Sequence, residues 1–126
     1  MASLTEPVAV HALDRNAILE RMEGDVELLE EIVQLFLEDS PRLIAAMRDS
    51  LASADAAGLR MAAHAMKGSL SNFGSLPSGT LVSELEVMGR DENLDNAAPV
   101  FAYFLTSLER LRPALLGLVR RPVPSS

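Results

Sequence analysis

One histidine lies in a sequence setting that favours nucleophilic chemistry. His64 is followed by Lys67 three residues later and by Gly68 four residues later, so all three would share one surface of a helix. A neutral imidazole is a competent nucleophile near neutral pH. Lys67 offers a cation that would offset charge on phosphoryl oxygens, and Gly68 leaves room for another protein to approach. These residues predict a phosphoryl group carried on His64.

The helix that would carry His64 has a complete apolar face, and His64 lies away from it. With Leu59 placed at zero and about 100° per residue, six residues fall within about 60° of zero. His64 falls at about 140° on the same wheel, and Gly68 at about 180°. The histidine is therefore predicted to be exposed near the middle of a packed helix. The apolar face consists of Leu59, Ala62, Ala63, Met66, Leu70 and Phe73.

Two helices are predicted before this one. Asp14 is a candidate cap for a short first helix that ends near Gly24, and Asp25 is a candidate cap for a long second helix. Pro41 either kinks the second helix or begins a separate segment capped by Ser40. The residues expected on the buried side of the second helix are Val26, Leu29, Val33, Phe36, Ser40, Ile44, Met47 and Leu51.

The helix of His64 should run from about residue 55 to 73 and end at Gly74. A fourth helix should run from Pro77 to about Arg90, with Leu81, Leu85 and Met88 buried. In a fifth helix, Pro113 either introduces a kink or marks the end. This pattern predicts an all-α fold, an up-down four-helix bundle with a short additional N-terminal helix covering one end. The buried residues expected in the fifth helix are Ala97, Phe101, Phe104, Leu108, Leu111 and Leu115.

The length of 126 residues fits one domain, predicted over residues 13–118, between an irregular leader (1–12) and a disordered tail (119–126). The absence of cysteine excludes disulfides and thiolate zinc sites. A net charge of −7 disfavours nucleic acid as a partner. No apolar run is long enough for a bilayer, and the N-terminus lacks the pattern of a signal peptide. We expect a soluble cytoplasmic monomer that does not contact membranes.

The segment AHAMKGSLSNFGS, residues 63–75, resembles the signature of histidine-phosphotransfer (HPt) domains. His64 matches the phosphorylated histidine, Lys67 and Gly68 match the Lys-Gly pair that follows it, and Gly74 matches the terminating glycine. Met66 stands where leucine is usual, which conserves volume. Residues 22–47 and 81–90 are also similar to the family's segments, so the resemblance covers about residues 13–112.

The resemblance implies a phosphocarrier of two-component phosphorelays with no kinase activity of its own. His64 would accept phosphate from the aspartate of a response-regulator receiver domain, or from a sensor or hybrid histidine kinase, and pass it to another receiver. The Mg²⁺ that the reaction requires would belong to the partner, so the chain itself would need no cofactor or metal. Glu86 matches a polar group that hydrogen-bonds the second ring nitrogen of the histidine, and Arg90, one turn further on, could help to hold the phosphoryl group.

Partner proteins would dock around His64. Arg60 and Ser71 are candidates for this surface, and so are Ile18 and Met22 of the first helix, which core packing would explain equally well. One alternative is a helical interaction module that is never phosphorylated. Another is the input domain of a chemotaxis-type histidine kinase. A carboxylate-bridged metal bundle is disfavoured, because it requires Glu-x-x-His pairs that the sequence lacks.

Overall fold

A computed structural model describes residues 13–119, and within this range the chain forms five α-helices and one 3₁₀ turn, without β-strands. The expected leader (1–12) lies outside the described residues. Val119 is the last residue of the final helix, and the rest of the expected tail (120–126) also lies outside. The helices are α1 (Arg15–Arg21), α2 (Val26–Ala52), α3 (Ala56–Leu70), α4 (Pro77–Arg90) and α5 (Ala97–Val119), with the 3₁₀ turn at Ser71–Phe73.

Aspartates cap the first three helices. Asp14, Asp25 and Asp55 each accept a hydrogen bond from the backbone N–H three residues later, at 3.1, 3.0 and 2.9 Å. Such a carboxylate satisfies a donor that has no partner within its helix, and its negative charge suits the helix N-terminus. α4 begins instead with Pro77, which has no N–H to satisfy. These starts agree with the sequence prediction.

α2, α3, α4 and α5 pack in sequence, and α2 also contacts α5, which closes the four-helix bundle. Phe36 of α2 also meets Phe73 of the 3₁₀ turn that follows α3, and their rings lie edge to face with centroids 5.7 Å apart. α1 covers one end. Its Arg15 donates a hydrogen bond to Leu118 O of α5 at 2.9 Å, and its Arg21 donates to Asn72 O after α3 at 3.1 Å. The predicted fold is confirmed.

The buried residues of α2 alternate in steps of three and four, which is the 3.5-residue repeat of left-handed helix packing. The prediction that Val26, Ile44 and Leu51 belong to this row is wrong, because all three are only half-buried. Leu43 and Ser50 are buried in place of Ile44 and Leu51. The prediction missed Ser50 because it relied on hydrophobicity, and Ser50 is a small polar residue at a close helix contact. The buried row of α2 consists of Leu29, Val33, Phe36, Ser40, Leu43, Met47 and Ser50.

The same error occurs in α4, where Leu81 and Met88 are only half-buried and Leu85 is fully buried as expected. The other buried residues of α4 are Ser78, Val82 and Gly89. In α5, Leu108 is half-buried, and Leu118 extends the buried row instead. Ser78 and Gly89 carry no hydrophobic bulk, so the apolar pattern does not identify them as buried residues.

Both internal prolines lie within continuous helices. α2 passes through Pro41 and reaches Ala52, so Ser40 does not cap a second segment. α5 passes through Pro113 and reaches Val119, so this proline does not end the helix. A proline removes one backbone hydrogen bond from its helix. In each of these helices, residues both before and after the proline are packed into the core, and this packing keeps the helix continuous.

Candidate functional site

His64 stands on the solvent side of α3, and 69% of its side chain is exposed. The opposite face of α3 is packed into the bundle, with Leu59, Ala63 and Met66 at 0% exposure. The wheel assignment made from the sequence is therefore confirmed for both faces. The imidazole projects from a helix that is anchored along its length, so a partner can reach it without opening the fold.

Glu86 of α4 holds both the histidine and the lysine. Its Oε2 lies 2.7 Å from His64 Nδ1, and its Oε1 lies 2.6 Å from Lys67 Nζ. The Glu86 side chain is 20% exposed, so the contact forms at the seam between the two helices. The structure thus places Glu86 next to the second ring nitrogen, which is the position that the family resemblance implies.

The charge of Glu86 decides which nitrogen of His64 carries the proton. The hydrogen bond from Lys67 is the strongest influence that lowers the pKa of Glu86, and the hydrogen bond from His64 adds to it, against the opposing effect of desolvation. An ionised carboxylate only accepts hydrogen bonds. Nδ1 of His64 must therefore carry the hydrogen and donate it to Glu86. In the neutral ring this leaves the lone pair on Nε2, the nitrogen available for attack.

Open space surrounds the imidazole along α3. Gly68 is exposed, and a Cβ added to it would meet no atom within 4 Å. Ser71 is exposed as well, and its Oγ donates a hydrogen bond to Gly68 O at 2.7 Å. Met61, three residues before His64, exposes 64% of its surface beside the histidine. Met61 was not among the predicted site residues, although its wheel angle of about 200° already placed it off the buried face.

The remaining predicted site residues lie at different distances from this centre. Arg60 is exposed one turn before His64, as a docking residue would be. Arg90 is exposed and pairs with Asp91, its Nε lying 3.3 Å from Asp91 Oδ1, so it is directed to a neighbour on its own chain segment. Ile18 is only 1% exposed and belongs to the core rather than to a docking surface. Met22 is half-buried against the same core.

Within residues 13–119, no three His, Cys, Asp or Glu side chains are placed so that they could hold a metal ion. In the same range, no helix is both long enough and apolar enough to cross a bilayer. The chemistry visible at this site is that of three side chains, an imidazole, a carboxylate and an ammonium group, joined in one hydrogen-bonded set.

Comparison with protein families identifies the chain. The sequence-family model of the Hpt domain matches residues 31–114. These residues are two thirds of the sequence and include all of α3 and α4. The chain therefore belongs to the Hpt domain family. Membership supports a phosphotransfer-type role in two-component signalling, in which such domains interact with receiver domains and histidine kinases. Neither the search of curated proteins nor the search of solved structures gave a match.

Proposed function

We propose that His64 carries a phosphoryl group between partner proteins. Nε2 attacks the phosphorus of a receiver's aspartyl phosphate, the N–P bond forms as the O–P bond breaks, and the aspartate leaves as a carboxylate. Transfer to a second receiver reverses these bond changes. A histidine kinase is the alternative donor. The observation that carries this proposal is the 2.7 Å contact between His64 Nδ1 and Glu86, which leaves the exposed Nε2 free for in-line attack.

Glu86 also suits the product. A phosphorylated imidazole that keeps its Nδ1 hydrogen has a positively charged ring, which a carboxylate stabilises through a charge-assisted hydrogen bond. The same contact fixes the ring orientation before a partner arrives, so less ordering remains to be done during the reaction. Glu86 is therefore proposed to position the imidazole and to balance its charge.

Lys67 is proposed to stabilise the phosphoryl oxygens. In the unphosphorylated protein its ammonium group is held by Glu86, 2.6 Å away, while 41% of the side chain remains exposed. A lysine has a flexible stem and three donors, so the group can turn towards a phosphoryl group on the neighbouring imidazole. A dianionic phosphoryl group would compete with Glu86 for this cation.

The chain is proposed to act as a carrier without kinase activity of its own. The Mg²⁺ that phosphoryl transfer requires would be held by the receiver or the kinase. Its partners approach the surface around His64, where Arg60 and Ser71 lie exposed on α3. Arg90 remains a proposed contributor only if its side chain leaves Asp91 in the complex.

The test is to incubate the protein with a phosphorylated receiver domain and to measure acid-labile, alkali-stable phosphate. His64→Gln should abolish labelling while leaving helicity and Tm nearly unchanged, because the side chain is outside the core. If the unaltered protein binds the receiver but acquires no phosphate from any phosphorylated receiver or kinase tried, the chain is an interaction module and the proposal is wrong. Loss of folding in His64→Gln would contradict the assignment of His64 to the surface.

A further inference from the structure

α4 approaches α3 closely beside Gly89. A Cβ built on residue 89 would lie 2.7 Å from Ala56 O and 2.8 Å from Arg60 N, well below the 3.4 Å at which ordinary contacts begin. Both atoms belong to the backbone of α3, so no side-chain rotation can make room. Any side chain at position 89 therefore forces α4 away from α3, or tilts it.

Other glycines of the chain do not have this property. At Gly58 the nearest atoms belong to the side chains of Asp55 and Ser50, which can move. Gly79 lies on α4 like Gly89, yet a Cβ there would meet no atom within 4 Å. Gly89 is thus the glycine of α4 whose lack of a side chain sets the distance between two helix backbones.

The affected distance is the one that Glu86 spans. Glu86 precedes Gly89 by three residues, so both lie on neighbouring parts of the same side of α4. Its two carboxylate oxygens reach His64 Nδ1 and Lys67 Nζ at 2.7 and 2.6 Å, which are short distances for charge-assisted hydrogen bonds between nitrogen and oxygen. A displacement of α4 away from α3 lengthens both contacts together.

We propose that Gly89 is a positioning residue for phosphoryl transfer: it lets α4 come close enough for Glu86 to hold His64 in the tautomer that leaves Nε2 free. This inference rests on the function proposed above for His64. Gly89 touches no reacting atom and acts only through Glu86. Its effect should therefore appear in the state of the imidazole before any partner is added.

The test compares Gly89→Ala with Gly79→Ala, which makes the same chemical change on the same helix in open space. The readouts are the ¹⁵N spectrum of the unphosphorylated imidazole, assigned with His64→Gln, and the rate of phosphoryl acceptance. Gly89→Ala should shift the ring population from the Nδ1–H towards the Nε2–H tautomer and slow acceptance by about tenfold or more. Gly79→Ala should leave both unchanged.

A double-variant cycle separates positioning from general damage. If Gly89 acts through Glu86, adding Gly89→Ala to Glu86→Ala should cause no further loss of rate. An equal loss in both backgrounds would overturn the proposal, because the effect would then bypass Glu86. An unchanged tautomer population and rate in Gly89→Ala would overturn it as well.

If Gly89→Ala does not fold, Glu86→Asp tests the distance on which the proposal depends. It withdraws the carboxylate by one methylene without touching the contact between α3 and α4, so it should shift the tautomer and slow acceptance in the same direction. An aspartate variant with the original spectrum and rate would show that this distance does not matter. The ¹⁵N spectrum needs no phosphate, so a failure of His64 to accept phosphate would remain distinguishable from a failure of Gly89 to position it.

Discussion

The two faces of α3 differ in what each side chain does. Met66 points into the bundle, is fully buried and contributes to stability. His64, two residues earlier, is mostly exposed, and its Nδ1 lies against the Glu86 carboxylate of α4. Gly68 extends the exposed face with a position where an added Cβ would meet no neighbouring atom within 4 Å. The buried face therefore anchors α3 in the bundle, and His64 on the other face can be changed without disturbing the core.

The largest effect should come from truncation on the buried face. Met66→Ala should lower the free energy of unfolding by about 2–5 kcal/mol, because it removes apolar contacts and leaves a cavity. Denaturant unfolding would measure this. His64→Gln is the matched control on the opposite face and should change the free energy of unfolding by less than about 0.5 kcal/mol. Similar losses in the two variants would contradict the separation of the two faces.

Substitutions at the open position of Gly68 should distinguish effects on the access of a partner to His64 from effects on the stability of the fold. Gly68→Ala should stabilise α3 by about 0.5–1 kcal/mol, since glycine is the weaker helix former and a Cβ meets no obstacle. Gly68→Gln should also fold, but its longer side chain should obstruct a docking receiver. The rate of phosphoryl acceptance should fall at least tenfold, which corresponds to an increase of about 1.4 kcal/mol in the activation free energy.

Both Gly68 variants are followed by thermal unfolding and by transfer from one phosphorylated receiver. Normal transfer in Gly68→Gln would show that this part of the surface is not approached. Strong destabilisation of Gly68→Ala would show instead that position 68 is packed.

The smallest expected effect is the change with pH in the free energy of unfolding that arises from Glu86. The hydrogen bond from Lys67 is the main cause that lowers the pKa of Glu86, so the folded state holds a proton there less readily than the unfolded state. The stabilisation of the fold by ionised Glu86 is therefore fully present above the pKa of an unfolded glutamate, about 4.3. It is lost as the pH falls through the lower pKa that Glu86 has in the folded state.

The measurement compares His64→Gln with the double variant His64→Gln/Glu86→Gln, which removes the titration of the histidine from the comparison. The difference in their free energies of unfolding should be constant near neutral pH and should shrink below about pH 4. A difference that grows on acidification would mean that Lys67 does not stabilise the ionised carboxylate.

The contrast between the two faces of α3 also explains which features of the fold can be predicted from the sequence. The helix phase of α3 follows from hydrophobicity because large apolar residues occupy one face and polar or small ones the other. α4 is different: Leu81 and Met88 suggested a buried side rotated by about 60° from the one that the structure shows, where Gly89 and Val82 are buried. With the observed rotation, Glu86 lies at the edge facing α3.

Glu86 was therefore found through the family resemblance rather than through the apolar pattern. Small residues at close helix contacts, such as Ser50 and Gly89, have no hydrophobic signature, and their importance appears only when both backbones are present. The pairing of Glu86 with both His64 and Lys67 likewise depends on the spacing of two helices, which a single helical wheel does not contain.

The central claim is that Nε2 of His64 is the atom that carries phosphate. The most direct measurement is NMR of the protein phosphorylated by a receiver or kinase, with ³¹P and ¹⁵N resonances assigning the phosphorylated nitrogen. We expect one phosphohistidine, at Nε2 of residue 64, with Nδ1 still protonated and hydrogen-bonded to Glu86. Phosphate on Nδ1, on His11 (the other histidine of the sequence) or on any other residue would contradict this expectation.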